Sequence, residues 1–159
     1  MSYFENSCKV ASSENKIGLN SSSVAFIDNS MKMLLVEDST LLQEVLFETI
    51  SKLKNVLIIG TALSSQKATL LIDTNDFDIL LLDIELVEGT GFDVIRHIKK
   101  FSYPFREPII ILLTNHTHPH YRTLAHTLGV NYFFDKSMDF DLVIEAIELE
   151  AYRFSSIKH

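Results

Sequence analysis

An open, doubly wound α/β sheet is the fold this sequence predicts, and three observations predict it. Short apolar runs, Met33-Leu34-Leu35-Val36, Ile79 to Leu82, Ile109 to Leu113 and Tyr132-Phe133-Phe134, read as buried strands of a parallel sheet. Segments with helical apolar spacing alternate with them. Each run also stops on a polar residue: Glu37-Asp38, Asp83, Thr114 and, through Asp135, Lys136. Ligands of an open parallel sheet sit beyond the carboxyl ends of its strands. Three carboxylates, a hydroxyl and an ammonium, far apart in the chain, are therefore expected at one edge.

The elements follow in order. Ser39 is placed to cap a first helix whose apolar positions are Leu42, Val45, Leu46, Ile50 and Leu53. Val56 to Ile59 is the second strand, ending at Gly60, and Ser64 or Ser65 opens a short helix through Leu71. After the third strand, Gly89 and Gly91 punctuate a turn ahead of a helix carrying Phe92, Val94, Ile95 and Ile98. Pro104 and Pro108 bracket a loop before the fourth strand. The fourth helix spans Pro119 to Leu128, with Gly129 ending it and Tyr121, Leu124, Ala125 and Leu128 facing inward. Asn131 to Phe134 forms the fifth strand, and the last helix runs from about Asp139 to Phe154. Five βα units in one short chain imply a five-stranded sheet with helices on both faces.

Composition sets the class. The chain has 159 residues, 47% hydrophobic and 22% charged, which suits one core. A net charge of −7 argues against direct nucleic-acid binding and against attraction to an anionic membrane surface. No run approaches the length of a membrane span, no signal-type apolar region opens the chain, and the expected compartment is the cytoplasm. Cys8 is the single cysteine, so neither an intrachain disulfide nor a cysteine metal cluster can form. Residues 1–30 are rich in serine and asparagine and read as a flexible extension, with Val24-Ala25-Phe26-Ile27 the one patch able to dock. An upstream stretch ahead of a start at Met31 or Met33 is the other reading. Residues 31–155 make the folded domain and 156–159 a tail.

The polar edge has its own chemical logic. Carboxylates held together raise one another's pKa, and a divalent cation relieves that penalty; hard oxygen ligands suit Mg²⁺. A carboxylate beside the cation can act as a nucleophile toward a phosphoryl donor, giving an acyl phosphate. The incoming negative oxygens require a fixed ammonium and a hydroxyl donor, for which Lys136 and Thr114 are suited.

These pieces, Leu34-Leu35-Val36-Glu37-Asp38-Ser39, Leu82-Asp83 with Gly91 eight residues on, Ile110 to Thr114, and Phe133-Phe134-Asp135-Lys136, resemble the receiver domain of two-component response regulators. The resemblance spans about residues 32 to 154 and implies the flavodoxin-like strand order 2-1-3-4-5. It implies that Asp83 is the phosphoacceptor for a sensor histidine kinase. It implies that Asp38, Asp83 and the backbone carbonyl of Glu85 hold Mg²⁺, with Glu37 acting through water. Thr114 would bond the phosphoryl group, Lys136 would pair with it, and Phe133 falls where the family places a switch aromatic. The implied protein is not an enzyme beyond its own phosphoryl transfer and dephosphorylation.

Two positions depart from the family pattern: Val87 and Ser137 stand where prolines are common. Ser137 puts in doubt the cis peptide that there helps aim the lysine. No second domain follows in this sequence, so a stand-alone switch for a partner protein is expected. A phosphate shuttle in a multistep relay is the alternative, and an Asp-nucleophile phosphatase the third; the latter expects an acid/base Asp where Glu85 stands. The last helix offers one apolar stripe to the sheet (Phe140, Val143, Ile144, Ile147, Ala151). A second, offset stripe (Leu142, Ala146, Leu149) suits either helix-edge burial or a downstream partner reached through this helix and the fifth-strand face. A phosphorylation-dependent homodimer is compatible with the same surface. His116, His118 and His120 alternate like metal ligands but read as a solvated loop. Glu85 and His116, each two residues past a site residue, are expected to overhang the phosphoryl group and to tune its lifetime.

Overall fold

Runs of leucine, isoleucine and valine with both sides apolar have one stable use, a parallel sheet covered by helices on each face. The computed structural model describes residues 29–100 and 102–157 and takes that form. Its strands are β1 (Met31–Val36), β2 (Val56–Ala62), β3 (Ile79–Leu82), β4 (Ile109–Thr114) and β5 (Tyr132–Asp135). The helices are α1 (Thr40–Ser51), α2 (Ser65–Thr74), α3 (Gly91–Ile98), α4 (Pro119–Thr127) and α5 (Phe140–Ile157). The sheet order is β2-β1-β3-β4-β5, and every pairing is parallel. This is the order that the resemblance implied.

Period-two alternation sorts the strands into two cores. Leu34, Val36, Leu80, Leu82, Ile110 and Leu112 meet Ala68, Ile72, Phe92, Ile95 and Ala125 from α2, α3 and α4. Met33, Leu35, Ile79, Leu81, Ile111 and Leu113 meet Leu46, Ile50, Val143, Ile147 and Ala151 from α1 and α5. Register then fixes the polar edge. Val36 pairs with Leu82 and Thr114 with Asp135, so the residues one step further along stand side by side. The Asp83 N–H donates to the Val36 carbonyl at 3.0 Å, which seats the residue after β3 beside the end of β1.

Several boundaries differ from the sequence reading, each for a local reason. β2 continues through Gly60 to Ala62, because Leu34 pairs with Gly60 and the Glu37 N–H donates to the Ala62 carbonyl. A side chain at Gly60 would press on Leu34 and Leu71, so this glycine serves a close approach rather than a strand end. α2 continues past Leu71 because Ile72 is buried, and it closes with Thr74 and Asn75 donating to the carbonyls of Leu70 and Leu71. α5 extends through Ile157, its last turn tied by the Ser155 and Ser156 hydroxyls to the carbonyls of Ala151 and Tyr152. The tail expected from residue 156 is thus helical over its first two residues, and Lys158 and His159 lie outside the described residues. So do residues 1–28, with most of the expected extension, its apolar patch and Cys8.

Two side-chain assignments are also corrected. Val45 faces solvent, because the buried stripe of α1 is carried by Leu46 and Ile50. In α5, Ala146 is 7% exposed and belongs to the sheet face, whereas Leu142 and Leu149 are 48% and 44% exposed. The offset stripe therefore consists of Leu142 and Leu149, continued by exposed Tyr152.

Candidate functional site

The register that aligns β1 with β3 brings Glu37, Asp38 and Asp83 together. Each offers an oxygen, and these oxygens all lie within 4.8 Å of one another. Lys136, just past β5, reaches across the edge into this group. Its Nζ donates to Asp83 Oδ2 at 2.5 Å and to Glu37 Oε1 at 3.0 Å. The side chains of Glu37, Asp83 and Lys136 are only 2%, 3% and 12% exposed. One ammonium thus serves two buried carboxylates, while Asp38 stands half-buried beside them.

Electrostatics single out Glu37. Burial pushes its carboxyl up to about 7, against the lowering effect of the Lys136 hydrogen bond. The neighbouring Asp38 pushes in the same direction as burial, and the Ser39 N–H, which donates to Glu37 Oε1 at 3.0 Å, opposes it. For Lys136, burial works against the charged form, but hydrogen bonds to Asp83 and Glu37 outweigh it and raise the ammonium's pKa.

The remaining expected residues lie on β4, on β5 and in the loops after β3 and β4. Thr114 is fully buried, and its Oγ1 accepts from the His116 N–H at 3.1 Å, which leaves the hydroxyl hydrogen able to donate. The Glu85 N–H donates to Asp83 Oδ1 at 3.3 Å and folds the loop after β3 back over Asp83. The Glu85 carboxylate meets His116 Nε2 at 3.0 Å, so the two residues expected to overhang the site are in contact. Phe133 is half-buried against the first core, with the Arg122 guanidinium 4.5 Å from its ring centroid. His118 caps α4, its Nδ1 accepting from the His120 N–H; this is the use of the alternating histidines. Among the described residues, Glu37, Asp38 and Asp83 form the group able to hold a metal ion.

Three positioning residues are not legible as such in the sequence. Gly91 reads as turn punctuation, yet a Cβ there would lie 2.3 Å from the Asp83 carbonyl oxygen. Only glycine lets the start of α3 pack against the Asp83 backbone, and its N–H donates to the Ile84 carbonyl at 2.8 Å. Gln43 donates to the carbonyls of Glu37 (3.3 Å) and Ala62 (3.0 Å), pinning the ends of β1 and β2 together. The Gly91 spacing from Asp83 is a sequence signal without a stated cause, whereas the Gln43 contact leaves none because it depends on packing between β1, α1 and β2. Ser39 reads only as a cap, which it is, but its N–H also holds Glu37.

The chain is thus an open parallel α/β domain with acidic pair, carboxylate, hydroxyl and lysine at its strand ends, and comparison with known proteins identifies the family. The family model of the response regulator receiver domain matches residues 33–148, and the chain belongs to that family. Stress response regulator protein 1 of Scheffersomyces stipitis is 30% identical over 117 residues, covering 72% of this chain and 40% of that protein. The transcriptional regulatory protein CitB of Klebsiella pneumoniae is 29% identical over 130 residues, covering 82% of this chain and 54% of CitB. The chain thus spans about half the length of these relatives or less. Among solved structures, the signal receiver domain of a Luxo repressor protein from Vibrio parahaemolyticus superposes with a TM-score of 0.69 at 22% identity. That match covers 81% of this chain and 95% of the other. The CheX-CheY-BeF3-Mg complex from Borrelia burgdorferi gives 0.64 at 21% identity, covering 74% and 86%. No helix of the described residues is long and apolar enough to cross a membrane.

The Glu37 carboxyl makes a stability prediction with a definite sign. Its pKa is raised on folding from 4.5 to about 7, so the folded state holds the proton more tightly than the unfolded chain. Metal-free stability should fall as pH rises through that window, by on the order of 3 kcal/mol for this group, and then level off. Glu37→Gln should therefore raise the melting temperature in chelator-treated buffer above pH 7 and flatten its pH dependence below. Parallel melting curves for both proteins from pH 5 to pH 8 would show that Glu37 is not a strained carboxyl.

Proposed function

We propose that this domain is a phosphorylation switch whose acceptor is Asp83, charged by a sensor histidine kinase with Mg²⁺. The observation that carries the reading is the ammonium of Lys136 bonded to both Asp83 and Glu37, inside a three-carboxylate cluster at the strand ends. The donor set fits the cation: oxygen ligands, and carboxylates in excess of the one ammonium. Asp38, Asp83 and the Glu85 carbonyl would hold it, with Glu37 acting through water. When bound, Mg²⁺ supplies positive charge that offsets the repulsion between acceptor and phosphoryl oxygens.

The chain's own residues perform the rest. An Asp83 carboxylate oxygen attacks the phosphorus of a phosphohistidine; the O–P bond forms, the P–N bond breaks, and the imidazole leaves with the electron pair. Lys136 transfers its hydrogen bonds from the carboxylates to the arriving phosphoryl oxygens, and the Thr114 hydroxyl donates from the other side. Withdrawal of Lys136 and Thr114 toward the new group changes the surroundings of Phe133, from which the half-buried ring can move inward. Exposed Leu41, Val87 and Met138, on loops or first turns at the same edge, offer the kinase an apolar rim. A downstream partner, or a second copy in a phosphorylation-dependent dimer, would read the β5–α5 face through Leu142, Leu149 and Tyr152.

Intact mass after incubation with acetyl phosphate and Mg²⁺ should rise by one phosphate, and chelation or Asp83→Asn should abolish the gain. Labelling that survives the substitution would place the acceptor elsewhere. Return of the phosphate from Asp83 to an isolated histidine domain would identify the relay reading in place of the switch.

The Glu85–His116 contact is proposed to govern how long the phosphate stays. Both partners are well exposed, at 67% and 40%, so the pair adds little to stability. Its importance is its place over the acceptor, where it obstructs in-line attack by water. Ala at either position should speed hydrolysis several-fold. The double variant should show less than the product of the two effects, since one contact is lost in both. Unchanged decay in both single variants would remove the pair from the mechanism.

A further inference from the structure

Lys136 must deliver its ammonium to one place, yet lysine is the side chain least able to aim itself. Four rotatable bonds separate Nζ from the backbone, so its precision depends on how firmly the backbone at residue 136 is held. That backbone lies in a short loop, beginning at Lys136, between β5 and α5. On one side, the Lys136 N–H donates to the Thr114 carbonyl at 3.1 Å, the last rung of the β4–β5 ladder. On the other side, the hold comes from a carboxylate that the phosphoryl chemistry does not use. Asp135 Oδ1 accepts from the Ser137 N–H at 2.8 Å and from the Ser137 hydroxyl at 2.6 Å.

The bracket is closed by a second carboxylate. Asp139 Oδ2 accepts from the Asp135 N–H at 2.8 Å, while the Asp139 N–H donates to the Asp135 carbonyl at 2.9 Å. Residues 135, 137 and 139 are thus tied to one another around Lys136, and the start of α5 is tied to the end of β5. The described peptide bonds are all trans, and hydrogen bonds hold the loop in this form. Charge-assisted bonds from an N–H and an O–H to a carboxylate are among the stronger hydrogen bonds available. The Ser137 hydroxyl and N–H hold the Asp135 carboxyl below its ordinary range, so it remains ionised in company with the acidic pocket.

We infer that Asp135 is a positioning residue for Lys136: its carboxylate, bonded twice to Ser137, fixes the loop from which the ammonium reaches Asp83 and Glu37. The inference rests on the proposed phosphoacceptor role of Asp83 only for its effect on rate; its effect on Lys136 itself does not. Loss of the bracket lets the Lys136 backbone drift, and errors of about 1 Å in a charge-stabilising group can cost up to about 100-fold in rate.

The test uses the full chain and two readouts. One is the rate of Asp83 phosphorylation by acetyl phosphate with saturating Mg²⁺. The other is the rate at which acetic anhydride acylates Lys136 in the metal-free protein, followed by peptide mass. Asp135→Ala should slow phosphorylation about tenfold and speed Lys136 acylation several-fold. Asp135→Asn keeps the Oδ1 acceptor and should stay within about twofold of the parent in both. Ser137→Ala removes one of the two bonds, leaves Asp135 in place and should fall between them, which keeps the test decisive if Asp135→Ala folds poorly. Unchanged Lys136 acylation in a folded Asp135→Ala or Ser137→Ala protein would overturn the inference, whatever the phosphorylation rate. Faster acylation with no phosphorylation of the parent protein would instead sustain the bracket and reject the acceptor assignment.

Discussion

One ammonium held between two buried carboxylates is the interaction on which the rest of this domain depends. A lone charge at such burial is costly, and breaking a buried pair by removing one partner leaves the other charge uncompensated. Lys136 therefore constrains both carboxylates at once, with 2.5 Å to Asp83 and 3.0 Å to Glu37. To bring the three groups together, β1 and β3 must pair in one register and β5 must end at the right height. The sheet meets both demands through the Val36–Leu82 and Thr114–Asp135 pairings. Gly91 lets α3 lie against the Asp83 backbone, and Gln43 ties off the ends of β1 and β2. Packing thus serves placement of charge.

The balance inside the pocket is incomplete. One lysine faces three carboxylates, and the burden falls on Glu37, the most buried of them, whose proton affinity rises to about 7. A site fully satisfied by its own residues would have little reason to bind a cation or to accept a phosphoryl group. Here the same crowding that weakens the isolated fold would give a divalent cation its binding energy. In the switch proposed above, the ammonium that neutralises Asp83 would also be the group to follow new negative charge outward.

Much of this was legible in the sequence because strand ends are a punctuation the chain cannot disguise. Apolar runs buried on both faces gave the strands, and the residues that stop them, Glu37, Asp38, Asp83, Thr114 and Lys136, are the ones the sheet assembles. The contact between Glu85 and His116 was also foreseeable, since each follows a strand-end residue by two. Boundaries were harder: Gly60 read as a stop because a glycine weakens a strand, but pairing with β1 before and after it carried β2 through to Ala62. The faces of α1 and α5 were drawn too wide at Val45 and Ala146, where helical spacing alone cannot tell an edge position from a central one. Least legible were Gln43 and the Asp135–Ser137 bracket, whose roles exist only once distant or looped segments have been placed.

A double-mutant cycle on Lys136 and Glu37 tests the shared ammonium most directly. Lys136→Met, Glu37→Gln and the double variant would be unfolded with urea in metal-free buffer at a pH above 7. If the two side chains are paired as described, Lys136→Met should destabilise strongly in the parent and less in the Glu37→Gln background, where only Asp83 loses its partner, with a coupling of at least about 1 kcal/mol. Additive effects, with no coupling beyond experimental error, would contradict the shared ammonium and with it the site built around it.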